Sequence, residues 1–444
     1  MIRVNCWGIG NFFLNTVSMV MGFIIYVLST LKYKAIMGVL LLYAIYAFQP
    51  AMNFRLYTKT LFLAPGEILS LILGGLYLDK IFLKTSQEEE SNNMVLSGLS
   101  IMGFLFLIAT LTFFLFNNDL AGNMPRSLLM FTKWLLAPIL FFIALNSKIS
   151  CREFGFFILL LIASFIVSVY LNINDSYESL SAVILKGLAT QYTRLSFVFP
   201  DPNQLGEITV LFLIISISGL INAKIKWVKM STIIFTGLLL IILALTQSRE
   251  SISTFIIAIF SLGIFKWRTR KPIASTVIFS LAIFVSLSFI HLVPRFWETI
   301  AQINSGETMH SLNARDNTWT EALAVVTNYP LGIGFENLSY VTNGQAWQAH
   351  NAFLQAAVIS GLPGFFAYIY LIYSLFITLK SYAFGIGSQA KWLAEAYLGF
   401  LIGYLVTSFF SDHFITFYVF NAIFFGLLGL VVRIYNISSC EQPN

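Results

Sequence analysis

The chain has 444 residues, of which 58% are hydrophobic and only 10% are charged, and its formal net charge is +6. Soluble domains carry about 25% charged residues, so this composition excludes a water-soluble globular protein. The basic residues fall mostly in short connections between apolar runs, where they orient membrane spans, and we expect no nucleic-acid partner. The three cysteines, Cys6, Cys151 and Cys440, show neither CxxC nor metal-ligand spacing and predict no disulfide framework.

Apolar runs of helix length follow one another along the chain and predict an all-α polytopic membrane protein. The candidate spans are 9–30, 34–50, 61–79, 94–116, 127–146, 154–172, 204–222, 230–247, 250–266, 272–291, 351–379, 392–410 and 413–435. We therefore expect about 12–13 transmembrane helices. Pro65, Gly66 and Glu67 interrupt the third run, which predicts a broken or interfacial segment there.

Two connections are long, about 173–203 and about 292–350, whereas the short ones hold clusters of lysine and arginine. Such clusters mark cytoplasmic loops. They lie at Lys224, Lys226 and Lys229, at Lys266, Arg268, Arg270 and Lys271, and at Lys380 and Lys391. One span separates each connection from the next, so successive connections alternate between the two faces of the membrane. Both long connections are therefore expected on the outer face.

The second long connection contains a helical pattern. Thr318 and Glu321 have the spacing of a capping box, and Pro330 ends the segment. Trp319, Leu323 and Val326 would share one face of this helix. We expect that face to pack on the membrane surface or over the mouth of the bundle.

Several catalytic motifs are missing from the sequence. It has no GxxxxGK[ST] phosphate loop, no HExxH, no GxSxG and no Asp-x-Asp pair. The sequence therefore argues against a kinase, an ATPase, a metalloprotease and a metal-dependent glycosyltransferase. We expect no cofactor and no metal ion.

Four polar residues on the predicted outer face are candidates for chemistry. Arg194 precedes a Pro-Asp-Pro-Asn element, Arg249 lies in a very short turn, and Arg315 and His350 belong to the long outer loop. Each has a plainer explanation, because arginines near helix ends pair with lipid phosphate and a histidine at a helix start can simply cap it. The plainer explanation is weakest for Arg249, since a charge at membrane depth is costly unless it is paired.

The sequence around His350 favours a functional role. His350-Asn351 is followed by nine residues and then Gly361-Leu362-Pro363-Gly364, which resembles the His-[Asn/Ser/Gln]-x9-Gly-x-x-[Gly/Thr/Tyr] signature of bacterial O-antigen ligases. Three further elements are similar to that superfamily: Arg315 to Trp319, Asn328 to Phe335, and Gln247-Ser248-Arg249 together with Asp201-Pro202-Asn203. The resemblance covers roughly residues 190–435.

This resemblance implies a GT-C-like membrane glycosyltransferase of the bacterial inner membrane whose active site faces the periplasm. The donor would be a glycan on undecaprenyl diphosphate, transferred without a metal ion, and the acceptor would be lipid A-core or a growing glycan. His350 would be the general base, Arg194, Arg249 and Arg315 would bind the donor diphosphate, and Asn351, Gly361 and Gly364 would support the site. The chain would then divide into N-terminal transmembrane helices (1–190), an O-antigen ligase-like region (191–435) and a cytoplasmic tail (436–444).

The chemistry of these residues agrees with that role. A sugar hydroxyl is a weak nucleophile, and a neutral histidine within hydrogen-bond reach can take its proton as it attacks. Guanidinium groups bind diphosphate oxygens bidentately and stay ionised, so arginines can take the place of a metal ion.

Two alternatives stay open. Ligases also carry an Arg-x3-Leu element, whereas Arg194 is followed at that spacing by Val198, which leaves room for a repeat-unit polymerase of O-antigen, capsule or exopolysaccharide. A flippase or transporter for lipid-linked oligosaccharide would need ionisable residues inside spans. Glu67 is the candidate in mid-span, with Glu207 and Glu395 nearer the ends of theirs.

Overall fold

The computed structural model describes residues 35–44, 52–56, 59–63, 65–76, 90–117, 123–147, 149–176, 202–223, 225–268, 271–292, 310–385 and 391–440. Within this part of the chain, eight helical segments are long and apolar enough to cross a membrane. The prediction of an all-α polytopic membrane protein is therefore confirmed. The predicted span 9–30 lies outside the described residues.

The elements are numbered here in chain order. They are α1 (Ala35–Ala44), β1 (Met52–Leu56), β2 (Lys59–Leu63), α2 (Pro65–Leu76), α3 (Glu90–Phe116), α4 (Met124–Trp134), α5 (Leu136–Leu145), α6 (Cys151–Ser176), α7 (Pro202–Asn222), α8 (Lys226–Thr246), α9 (Arg249–Arg268), α10 (Pro272–Leu292), α11 (His310–Asn328), α12 (Leu338–Val341), α13 (Ala352–Phe384), α14 (Lys391–Thr407), α15 (His413–Thr416) and α16 (Tyr418–Cys440). The candidate membrane spans lie in α3, the pair α4–α5, α6, α7, α8, α9, α13 and α16. Helices α10 and α14 overlap the predicted spans 272–291 and 392–410.

The N-terminal region differs from the prediction at the span 61–79. Its first residues belong to a short antiparallel hairpin, in which Met52 lies opposite Leu63 and Leu56 opposite Lys59. Helix α2 then begins at Pro65, where a proline is tolerated because the first helical N–H groups have no intrahelical acceptor. The interruption foreseen at Pro65 is thus the start of a helix that follows a strand.

Helix packing brings the C-terminal half together. Helix α14 packs between α9, α13 and α7, helix α16 packs along α5, and α13 packs along α3. Gly403 of α14 allows this closeness, because a Cβ there would lie 2.4 Å from the carbonyl oxygen of Thr254 in α9. Stacked and edge-to-face rings fill the core between α14 and α16, including those of Phe400, Tyr404 and Phe424.

Two lysine–carboxylate ion pairs lie inside the described part of the bundle, where unpaired charges would be costly. The ammonium of Lys266 in α9 pairs with the carboxylate of Glu395 in α14. Lys133 Nζ lies 3.2 Å from Glu67 Oε1 and 4.2 Å from the centroid of the Tyr418 ring. Glu67, the mid-span carboxylate that a transporter would use, thus has a buried cation beside it.

The second long connection, called the outer loop here because the sequence predicts it on the outer face, contains α11 and α12. Helix α11 ends at Asn328, before Pro330 as predicted, but it begins at His310, so Thr318 lies inside the helix and does not cap it. Its buried face also differs from the predicted one, since Ala322 and Val325 are buried while Leu323 is 56% exposed. These buried residues pack with the C-terminal end of α3 and the first turns of α13, which fixes the loop on the bundle.

Candidate active site

The turn between α8 and α9 carries the first candidate arginine. Gln247 adopts a left-handed φ of 48° and ends α8. Ser248 Oγ then accepts a hydrogen bond from the backbone N–H of Ser251 at 3.1 Å, as an N-capping serine does. The short turn places Arg249 and Glu250 in the first turn of α9, where both are partly exposed.

Arg315 of α11 lies beside this turn. Its guanidinium pairs with the carboxylate of Glu250 and lies 5.8 Å from the centroid of the Phe410 ring. Trp319, one turn further along α11, packs against the same ring with centroids 6.1 Å apart. The Arg315 side chain is 24% exposed, so it remains accessible from solvent.

A buried charged group adjoins Glu250. His413 Nδ1 lies 2.9 Å from Glu207 Oε1, and Ser411 donates a hydrogen bond to the same carboxylate oxygen at 3.1 Å. Burial opposes a charge on the imidazole, but the carboxylates of Glu207, Asp412 and Glu250 outweigh it and raise the pKa of His413 to about 10. His413 is therefore a buried cation at neutral pH and is unsuited to accept a proton from a substrate.

His350 differs from His413 in its exposure to solvent. It is exposed and adopts a left-handed φ of 48°. Its neighbours are fixed, because Asn351 Oδ1 caps α13 by accepting a hydrogen bond from the N–H of Leu354 at 3.0 Å. The N–H of Ala349 also donates to Gln355 Oε1 at 2.8 Å. Of the histidine side chains that the structure describes, His350 is the exposed one, held in place by the backbone on either side.

The turn that follows α14 connects His350 to the arginines. The N–H of Ala352 donates to the carbonyl oxygen of Ser408 at 2.8 Å. Phe353 stacks on Phe409 with ring centroids 5.1 Å apart. The next residue, Phe410, is the ring that faces Arg315 and Trp319.

Three of the predicted residues, His350, Arg315 and Arg249, thus lie around one end of the bundle. This end is formed by the segments that the sequence predicts to face outward. Arg194 lies outside the described residues, as does Asp201 of the Asp-Pro-Asn element.

The two motif glycines shape α13 where the outer loop passes it. The helix is broken at Ser360 and Gly361, and Gly361 has a φ of 69°. The break leaves two helix carbonyls that accept hydrogen bonds from the loop: Ile333 N–H donates to Val358 O at 3.0 Å and Gly334 N–H to Ile359 O at 2.9 Å. Pro363 explains the second bond, because proline has no N–H to offer the carbonyl of Ile359.

The packing at this break leaves no room for a side chain. A Cβ on Gly361 would lie 1.8 Å from the carbonyl oxygen of Pro330, and one on Gly364 would lie 2.7 Å from that of Ala356. The break thus lies at Ser360 and Gly361, before Pro363. Gly361 is in contact with the outer loop, whereas Gly364 faces Ser360 and Ala356 of its own helix.

Replacing Gly361 with alanine is expected to displace the loop and destabilise the protein. The backbone of Gly361, with φ 69° and ψ −165°, is open essentially only to glycine and costs another residue about 1–3 kcal/mol, and the contact with Pro330 adds to this. Thermal unfolding in detergent should show a clear decrease in Tm. Gly237→Ala is the control, because no atom lies within 4 Å of a Cβ there, and it should leave Tm unchanged or raise it slightly. Equal Tm values for both variants would contradict this account.

Sequence reasoning did not assign three of the residues that the structure brings to this end, and it named Glu207 only as a carboxylate that a transporter would need. Glu250 pairs with Arg315 across helices, Phe410 lies between Arg315 and Trp319, and Glu207 lies against His413. Glu207 carries a detectable signal, since it is a lone carboxylate at the start of an apolar run. Phe410 carries none, because the chain has 44 phenylalanines.

Residues 234–369 match the model of the O-antigen ligase family. The match includes Arg249, Arg315, His350 and both motif glycines, and it confirms the resemblance inferred from the motifs. No curated protein sequence matches the chain.

Proposed function

From the O-antigen ligase match over residues 234–369, we propose that this protein is a metal-independent glycosyltransferase of the bacterial inner membrane with its active site facing the periplasm. It transfers a glycan from undecaprenyl diphosphate to an acceptor sugar hydroxyl, acting as an O-antigen ligase on lipid A-core. The observation that carries the proposal is the position of the exposed His350 and the partly exposed Arg315 on either side of the turn Ser408–Phe410. Among the described residues, none is hydrogen-bonded to the His350 side chain.

In the proposed reaction, His350 is the general base. The acceptor hydroxyl oxygen attacks the anomeric carbon of the donor, and its proton passes to the imidazole. The bond between that carbon and the diphosphate oxygen breaks, and the lipid diphosphate leaves with the electron pair. His350 suits this step because it is accessible to substrate, whereas His413 is buried beside three carboxylates.

The arginines stabilise the leaving group. Arg315 and Arg249 supply fixed positive charge to the diphosphate, whose negative charge increases as the bond breaks. Glu250 holds the Arg315 guanidinium between the first turn of α9 and the Phe410 ring in the absence of substrate. The positioned guanidinium then needs little reorganisation when the donor binds.

Complementation tests this proposal. Expressed in a host that lacks its O-antigen ligase, the protein should restore the O-antigen ladder on lipid A-core, seen on a lipopolysaccharide gel. A parallel host that lacks the repeat-unit polymerase should keep its single-repeat band. The reverse pattern would establish the polymerase alternative. Rescue of neither host by a protein that is present in the membrane would contradict the proposal.

A further inference from the structure

An open cleft adjoins the candidate active site. It is partly open to solvent, and the space enclosed within it is small. Its lining includes two tryptophans, a tyrosine, two glutamines and a carboxylate: Trp134, Trp347, Tyr418, Gln348, Gln355 and Glu336. Trp134 is 3% exposed and Trp347 is 71% exposed, so the cleft has an aromatic floor and an aromatic residue at its solvent edge.

The lining chemistry suits sugar rings. Aromatic faces pack against the C–H faces of pyranose rings, while amide and carboxylate groups bond ring hydroxyls in both directions. Among the lining side chains that the structure describes, Glu336 is the only charged one. Because Arg126 pairs with this carboxylate, the lining carries little net charge and suits an uncharged sugar better than a diphosphate.

Glu336 is held in a defined position at this cleft. Its carboxylate accepts a hydrogen bond from Arg126 at 2.7 Å, and its backbone has a left-handed φ of 61°. A non-glycine residue adopts that conformation at an energetic cost and is retained where the surroundings enforce it. His350 also has a positive φ. Glu336 and His350, the two ends of the segment that contributes Trp347 and Gln348, thus both adopt this costly conformation.

The cleft is connected to His350 and to the arginines through different segments. Trp347 and Gln348 lie three and two residues before His350 in the chain, and Gln355 Oε1 accepts a hydrogen bond from the N–H of Ala349 at 2.8 Å. On the other side, the segment 408–418 contributes Phe410 to Arg315 and Tyr418 to the cleft. The cleft thus adjoins the general base, and Arg315 contacts a separate part of the 408–418 segment.

We propose that this cleft binds an uncharged sugar ring of the acceptor glycan and presents its hydroxyl to His350, with Trp347 and Gln348 as the residues that bind it. The inference rests on the proposed function, in which His350 takes the proton from the acceptor. It assigns acceptor and donor to separate surfaces, the cleft for the acceptor sugar and the arginines for the donor diphosphate.

Steady-state kinetics of the full-length protein in nanodiscs test this assignment. The donor is an undecaprenyl-diphosphate-linked repeat unit and the acceptor is lipopolysaccharide that lacks O-antigen. Trp347→Ala and Gln348→Ala are each expected to raise the acceptor KM about tenfold and to leave the donor KM and kcat within about twofold. Trp227→Ala is the matched control, since this tryptophan is 57% exposed in α8 and should leave both KM values unchanged.

Titration calorimetry in the absence of donor distinguishes failure of the sugar site from failure of the proposed function. The probes are deacylated core oligosaccharide and free repeat-unit oligosaccharide. Binding of one probe that Trp347→Ala weakens about tenfold, and Trp227→Ala does not, supports the sugar site even if the wild type transfers nothing and the proposed function fails. If the wild type transfers glycan while both cleft variants keep the acceptor KM, the function stands and the cleft inference is wrong. A rise in the donor KM alone, or binding of neither probe, would also overturn it.

Discussion

His350→Ala is expected to lower transfer by about 10²- to 10⁴-fold, the contribution of a positioned general base, while the protein inserts and accumulates normally. His350 is exposed and makes no hydrogen bond to the described residues, so its loss removes chemistry and little packing. The measurement is kcat for transfer in nanodiscs together with the amount of protein in the membrane. The decrease should lie in kcat, with the donor KM nearly unchanged.

The backbone at His350 requires a second variant. Its φ of 48° is costly for alanine and is better tolerated by asparagine. His350→Asn keeps that conformation but offers no group that accepts a proton at neutral pH, so it should be as inactive as His350→Ala. Gln345→Ala, at another exposed position of the same loop, should remain active. Activity in the asparagine variant would show that the residue shapes the backbone and is not a base.

Arg315→Ala is expected to raise the donor KM about 10- to 100-fold, because hydrogen bonds between charged groups contribute roughly 1.5–3 kcal/mol each. Arg315→Lys should restore little, since lysine lacks the planar fork that binds two phosphate oxygens and covers the Phe410 ring. The measurement is the donor KM at saturating acceptor. Arg268→Ala is the matched control, because Arg268 also faces an aromatic ring, that of Phe384, at 5.7 Å and lies at the predicted cytoplasmic end.

The pairing with Glu250 makes the single variant ambiguous, since removing Arg315 also leaves a mostly buried carboxylate without its guanidinium. The double variant Arg315→Ala with Glu250→Gln removes that penalty. If Arg315 binds the donor, the double variant should keep the raised donor KM while regaining thermal stability. A return of the donor KM to the wild-type value would show that Arg315 serves only to neutralise Glu250.

Eight of the predicted spans match described helices. They were predictable because a bilayer demands long apolar runs, which are visible directly in the sequence. The motif around His350 was equally visible, since Asn351 and Gly361 are defined by local geometry, a helix cap and a left-handed break. Local chemistry of this kind is determined by a few neighbouring residues and can be inferred from them.

Contacts between distant segments were not predictable in the same way. Arg315 and Glu250 pair across two helices although they are 65 residues apart in the chain. No sequence pattern around either residue indicates that the other is its partner. The hairpin before Pro65 was hidden because an apolar run of five residues fits a strand or a helix equally well. The acceptor cleft combines side chains from five separate segments, so only the folded chain reveals it.

The broken helix α13 has a consequence for biogenesis. A helix with two unsatisfied carbonyls is costly in hydrocarbon, by several kcal/mol for each group. The carbonyls of Val358 and Ile359 accept hydrogen bonds from the N–H groups of Ile333 and Gly334. These two residues precede α13 in the chain and are synthesised before it. If the loop lies on the outer face of the membrane, as the sequence predicts, it must be translocated before α13 enters the bilayer, and it then supplies the donors that α13 needs. A deletion within 330–334 would be read out as failed membrane integration and proteolysis, before any loss of enzyme activity could be measured.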